Sequence, residues 1–304
     1  MKQIIIFFFF VLLAVSCTPA APAQQAAGLI LTPPVTAVAV TPKMITPPIT
    51  GSPTITPTRT KTPTVTPLAC WNQNGENVNG ELKTELLRQP LEYLVHLPPC
   101  YDEQPERRYP VLYLIHGQSY DQFQWQRLGA SETMDKLSAS GEIAPFIIIM
   151  PRDRLWEPPN IDLFGQVVID ELIPAIDEQY RTLAGREFRA VGGLSRGAGW
   201  AVHLGITEWE LFGALGAHSL ALFDVDAQYS RQRLAEIPPD KLPRIYVDIG
   251  EKDRPNIMRS ALWFAQLLTD GNIPHVWNLY QGYHEEGYWR AHIEEYIRWY
   301  AEEW

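Results

Sequence analysis

Ile4 to Val15 is an unbroken apolar run behind the single cation Lys2, and Pro and Thr dominate from Thr32 to Pro67. From Cys70 to the C-terminus the pattern changes to short apolar runs alternating with amphipathic stretches. The short runs predict strands over 81–87, 91–97, 109–115, 145–150, 188–194, 212–217, 245–249 and 276–280. Helical spacing of apolar positions predicts helices over 127–140, 162–180, 197–206, 258–269 and 288–300. Runs such as PFIIIM (145–150) show no polar alternation, as expected of strands covered on both faces. The order of elements predicts an α/β architecture with a mostly parallel central sheet and helices on both sides.

The N-terminal pattern adds an expectation about export. Residues 1–16 read as a signal peptide, because the apolar run is shorter than a bilayer span and follows a positive residue. Ser16-Cys17 resembles the lipobox of bacterial lipoproteins, in which the cysteine is lipidated. Ala14 stands where Leu is usual and Val15 where a small residue is usual, so simple secretion is the alternative. Residues 17–69 read as a Thr/Pro-rich tether that builds no core and favours extended chain. At ~3.1 Å per residue it reaches roughly 100 Å, enough to hold a domain clear of the envelope. Residues 70–304 form the expected folded domain. Membrane contact is expected only through a lipid anchor on Cys17. The oligomeric state is not legible.

Composition narrows the partners. The 304 residues carry a formal net charge of −10, and no basic run offers a phosphate-binding stripe, so nucleic acid is excluded as a partner. Apart from Cys17 the chain has Cys70 and Cys100. In an exported protein this pair is expected to form a disulfide.

Candidate chemistry centres on Gly193-Leu194-Ser195-Arg196-Gly197, a G-x-S-x-G element between a predicted strand and a predicted helix. That context is the nucleophile elbow, where a serine sits in strained backbone with its hydroxyl exposed and its neighbours must be small. A serine hydroxyl needs an imidazole to take its proton, and the imidazole needs a carboxylate to fix its tautomer. The fold's chain order of serine, acid and histidine selects Asp253, after RIYVDIG, and His284, after VWNLYQG. Asp248 is the rival acid, but it falls inside its strand, where a supporting role is expected. Acyl transfer also needs two N–H donors for the developing oxyanion. Arg196, next after the serine, and Gln118, in the His116-Gly117-Gln118 loop, are the candidates, with His116 holding the loop. Trp125, Trp156, His218 and Trp289 are candidate substrate-binding residues around the mouth, with Tyr283 and Tyr288 near the base. Arg152, Asp153 and Arg154 are candidate pocket residues or a solvated loop. His284-Glu285-Glu286 lacks a second histidine at helical spacing, so neither a metal nor a cofactor is expected.

The motifs RYPVLYLIHG, GGLSRGAG, VDIGEKD and GYHEEGYW, from about Leu91 to the C-terminus, resemble the esterase D-like family of α/β-hydrolases. Its relatives include feruloyl, acetylxylan and enterochelin esterases, S-formylglutathione hydrolases and mycolyltransferases. The resemblance implies the α/β-hydrolase fold and a Ser195–His284–Asp253 triad. Arg196 departs from the Met that many relatives carry after the nucleophile, and its side chain is a candidate contact for an acidic or polar substrate. The expected function is serine-dependent hydrolysis of a carbohydrate-linked or aryl ester outside the cell, on a small-molecule or glycan substrate. Acyl transfer to an envelope sugar uses the same triad and differs in its product. A non-catalytic glycan-binding surface lipoprotein would leave a p-nitrophenyl ester intact.

Overall fold

The computed structural model describes residues 69–304. Its strands are β1 (Glu76–Leu82), β2 (Leu91–Leu97), β3 (Val111–Ile115), β4 (Ile147–Pro151), β5 (Arg189–Leu194), β6 (Ala214–His218), β7 (Arg244–Gly250) and β8 (Val276–Tyr280). They form one eight-stranded sheet in the order β1-β2-β4-β3-β5-β6-β7-β8. β1 and β2 pair antiparallel, β2 meets β4 antiparallel, and every pairing from β4 through β8 is parallel. The longer helices are α2 (Ala130–Ala139), α5 (Arg196–Thr207), α6 (Asp224–Glu236), α7 (Pro255–Asp270) and α8 (Glu286–Ala301). Shorter ones are α1 (Gln124–Arg127), α3 (Phe164–Val167) and α4 (Ile173–Gln179). This is the α/β-hydrolase arrangement.

The central strands are buried at every position of VLYLI, IIIMP and RAVGGL, which is why they read as apolar runs without alternation. Along β3 the side chains still divide between the two faces. Val111, Tyr113 and Ile115 join Val168, Ile176, Trp200 and Phe264 on one face. Leu112 and Leu114 join Met134, Leu137, Ile293 and Ile297 on the other. Parallel strands all point their C-terminal ends to one edge of the sheet, and loops there converge at a topological switch.

The structure departs from the sequence pattern in three places. The first strand is Glu76–Leu82, earlier than the 81–87 expected. It is an edge strand exposed or half-exposed throughout, so its sequence, ENVNGEL, carries little apolar signal. The helix expected over 162–180 is interrupted by a π-helical turn at Val168–Leu172 before Pro174. Pro174 has no N–H for a helical bond and its ring crowds the preceding turn, so the ladder widens there. Helix α6 was not anticipated, because it buries only Asp226, Ser230 and Leu234 and has almost no apolar stripe. Cys70 and Cys100 are joined by a disulfide. Cys17 and the residues read as leader and tether lie outside the described residues.

Candidate active site

Ser195 follows β5 directly and opens α5 with φ 54° and ψ −119°, a conformation that L residues rarely adopt. The chain holds it by a bond from Ser195 N–H to His218 O at 2.9 Å and from Ala221 N–H to Ser195 O at 3.2 Å. Tiny residues make the turn possible. A Cβ on Gly193 would stand 2.2 Å from the Gly197 carbonyl carbon, and one on Gly197 would stand 2.1 Å from Ile115 O. Both obstacles are backbone, so neither can move aside. The Ser195 side chain is left half-buried at the C-terminal edge of the sheet.

The loops after β7 and β8 bring the other two residues to it. Glu251 N–H donates to Tyr280 O at 2.7 Å and Lys252 N–H to Gly282 O at 2.9 Å, so the loops are stitched backbone to backbone. His284 Nε2 lies 2.9 Å from Ser195 Oγ. His284 Nδ1 lies 3.0 Å from Asp253 Oδ2 and 2.8 Å from Oδ1. Asp253 Oδ1 also accepts the Arg254 N–H at 2.6 Å, which fixes the carboxylate. The Trp289 ring meets the His284 ring edge-on, with centroids 5.1 Å apart. The structure thus brings together the three residues selected from the sequence, in the order serine, imidazole, carboxylate. Asp248 lies elsewhere, buried in its strand, where it accepts from His218 Nδ1 at 2.6 Å and Tyr296 OH at 2.7 Å.

The loop after β3 runs past the nucleophile. β3 pairs with β5 as far as Ile115 and Gly193, and a Cβ on Gly117 would be 3.6 Å from Ser195 Cβ. Gln118 follows in this loop with its side chain exposed. The Arg196 N–H is the first of α5 and has no acceptor one turn back. The loop that carries Gln118 and the start of α5 therefore both border Ser195. Asp153 braces both. Its backbone N–H donates to His116 Nε2 at 2.9 Å, and His116 Nδ1 donates to Gly117 O at 2.8 Å. Its carboxylate takes Arg196 Nε at 2.6 Å and Trp200 Nε1 at 2.9 Å. Burial pushes His116 below the ordinary imidazole range, which keeps it neutral and able to accept through Nε2. Gln124 adds a further brace, accepting the Gly117 N–H at 2.8 Å. The sequence marks Asp153 only as a candidate pocket or loop residue, and Gln124 carries no sequence signal beyond its place between aromatics.

Several expected substrate contacts are corrected. Trp125 is buried and its indole N–H donates to Ile115 O at 3.0 Å, so it supports the loop from below. His218 is fully buried, with its second nitrogen 3.0 Å from Tyr300 OH and its ring stacked on Tyr296. Trp289 is buried and bonds Ser219 Oγ at 3.1 Å. Each ring is held by the polar atom that a surface residue would leave to solvent. The Arg196 guanidinium turns away from the mouth, into Asp153, Glu157 O at 2.6 Å and Asp162 at 3.5 Å. Trp156 remains exposed, with φ 58°, as does Tyr283. Cys70, Cys100 and Glu103 lie close enough together to suggest a metal site, but both sulfurs are consumed by the disulfide.

The family model described as "Putative esterase" matches residues 84–300. An endo-1,4-beta-xylanase/feruloyl esterase of Xylanibacter ruminicola is 33% identical over 193 residues, 59% of this chain. The chain spans only 26% of that relative's length. Among solved structures, a ferulic acid esterase superposes with a TM-score of 0.68 at 24% identity, covering 76% of this chain and 100% of that one. A ferulic acid esterase from Anaeromyces mucronatus, solved with ferulic acid, gives 0.60 at 21% identity, covering 79% and 93%. An S-formylglutathione hydrolase from Staphylococcus aureus gives 0.59 at 15%, covering 75% and 100%. At these identities the structural likenesses carry the fold, and the family match carries the membership. With its strained serine, imidazole and carboxylate in register and residues 84–300 matched, the chain belongs to the Putative esterase family and is built on the α/β-hydrolase fold.

Proposed function

We propose that the protein hydrolyses a carbohydrate ester of an aromatic acid, with a feruloyl-type acyl group passing through an acyl-enzyme on Ser195. The observation that carries this reading is the hydrogen-bonded series Asp253–His284–Ser195 on a strained elbow. In the first step His284 Nε2 takes the Ser195 proton as Oγ attacks the ester carbonyl carbon. The oxyanion is met by the N–H groups of Gln118 and Arg196, and Asp253 holds the imidazolium in place. The tetrahedral intermediate expels the alcohol, which receives the proton from His284. Water, deprotonated by His284, then attacks the acyl carbon, and collapse returns the acid and free Ser195. The choice of acyl group is supported by the xylanase/feruloyl esterase relative and by neighbours solved with ferulic acid and with sinapinate. Exposed Trp156 and Tyr283 supply aromatic surface for such a substrate.

The decisive experiment follows hydrolysis of methyl ferulate by the wild type and by Ser195→Ala, with intact-mass detection of a feruloyl adduct under rapid quench. Turnover in the wild type and an adduct absent from the variant support the reading. Equal turnover in the two proteins overturns it. Export belongs to the same proposal. Lys2, the apolar run to Val15 and Ser16-Cys17 support a lipid-anchored envelope protein, with the Thr/Pro segment as its tether. Cys17→Ser is expected to release the protein from membrane fractions or to block its processing, and unchanged partition favours simple secretion.

A further inference from the structure

A polar cleft of about 500 Å³ opens on the β6–β7 side of the molecule. One wall is the loop after β6 and the start of α6, with Leu222 and Asp224, and the other is the first turns of α7, with Asn256, Arg259, Ser260 and Trp263. One wall touches the backbone of the nucleophile and the other follows the loop that carries Asp253. Ala221, also in the lining, donates its N–H to Ser195 O at 3.2 Å, and α7 begins just after Asp253.

Strand order fixes which half of an ester this cleft faces. Ser195 sits at the end of β5, with β3 on one side and β6, β7 and β8 in turn on the other. The donors at Gln118 come from the β3 side, so the oxyanion points there. The departing oxygen must receive its proton from His284 Nε2, so the alcohol lies on the imidazole side. The cleft is built from segments that follow β6 and β7, the strands between β5 and the β8 that leads to His284, and so lies on the side where the alcohol half leaves.

Its lining has the chemistry of a saccharide site. The buried stripe of α7 is Ile257, Ala261, Phe264 and Leu268, and Trp263 stands off that stripe, 40% exposed. An indole face is apolar and flat, and it suits the C–H face of a sugar ring. Among the described residues, the side chains of Asp224, Asn256, Arg259 and Ser260 make no hydrogen bond or ion pair, which leaves donors and acceptors for hydroxyl groups. One Arg against one Asp gives the cleft no net charge, which fits a neutral sugar rather than an anionic leaving group.

We propose that this cleft binds the sugar that carries the ester, with Trp263 as its stacking platform and Arg259 and Asp224 as hydroxyl partners. The proposal rests on the reading of the protein as a carbohydrate ester hydrolase. The test compares a feruloylated xylo-oligosaccharide with methyl ferulate, which has the same acyl group and no sugar. The readout is the ratio of the two kcat/KM values within each protein, which cancels any loss of folded enzyme. In the wild type the ratio is expected to exceed one. In Trp263→Ala and, separately, Arg259→Ala it is expected to fall about tenfold, the equivalent of one good contact. A fall confined to KM for the oligosaccharide supports a binding role. A ratio unchanged in both variants, while methyl ferulate is still hydrolysed, overturns the subsite and leaves the esterase reading standing. Wild-type protein that hydrolyses neither ester overturns both.

Discussion

Asp248 and Asp253 belong to the same strand and its following loop, yet their surroundings assign them different work. Asp248 is fully buried and held by His218, Tyr288 and Tyr296. Burial, and then the Asp248 charge, push both phenols far above their ordinary range, so they stay neutral donors. Asp248→Asn is therefore expected to cost about 3 kcal/mol of stability. Asp253→Asn should leave the melting temperature nearly in place and lower kcat by on the order of 10³–10⁴, because the imidazole loses its partner for the correct tautomer. Paired melting curves and kinetics on the two variants decide the assignment, and a larger kcat loss for folded Asp248→Asn would reverse it. Asp162, beside Arg196, offers a pH test. Burial raises its carboxyl to about 6, with the neighbouring Asp153 charge adding to the effect, while the Phe164 N–H and Arg196 oppose it. An acid whose folded pKa exceeds its unfolded value near 3.8 binds more protons when folded, so its ionisation lowers stability as pH rises from about 4 to 6. Asp162→Asn keeps the oxygen that caps Phe164 and removes the titration. Its melting temperature is expected to gain on the wild type across that pH window, and parallel curves would show that Asp162 does not titrate there.

The elbow, taken as an element, makes a sharper demand than any side chain within it. Gly193→Ala and Gly197→Ala would each drive a methyl group into backbone at about 2 Å, so soluble protein with a normal melting temperature is not expected from either. Gly141→Ala is the control. Gly141 has φ 75° but nothing within 4 Å of its Cβ position, so only backbone strain of about 1–2 kcal/mol is expected. Similar behaviour of all three variants in thermal melts would remove the steric account. The strand–elbow–helix unit was legible in the sequence because every constraint on it is local: an apolar run, a serine, and glycines at fixed offsets. β8 was also legible, and its observed bounds, Val276–Tyr280, are those expected. Elements with few apolar contacts were not, as the polar edge strand β1 and the polar helix α6 show. The aromatic residues misled for a related reason. Trp125, His218 and Trp289 lie close in sequence to catalytic loops, but only the fold shows that their polar atoms point inward to Ile115 O, Asp248 and Ser219. The brace at Asp153 joins two separate loops and the start of α5, and no spacing rule signals that.

At the scale of the molecule, the sheet sets the chemistry and the disulfide at opposite edges. The catalytic loops leave the C-terminal ends of the parallel strands. β2 runs antiparallel to β4, with His96 opposite Ile148, so the end of β2 lies at the N-terminal edge of those strands. Cys100 follows just beyond that end, and its bond to Cys70 ties the start of the described chain to the edge of the sheet opposite Ser195. The closed loop has a sequence separation of 30. Loop-entropy reasoning gives about 3–4 kcal/mol for a ring of that size. In a domain this large that corresponds to roughly 10 °C of melting temperature. Reduction is therefore expected to lower the melting temperature and leave kcat on a small ester unchanged at temperatures below the new transition. Mass spectrometry of alkylated, non-reduced protein checks the bridge itself, and two freely alkylated thiols in protein prepared under oxidising conditions would remove it. If reduction abolished turnover while the melting temperature stayed put, the bridge would be coupled to the catalytic loops across the full depth of the sheet. The two edges of the sheet would then not be independent.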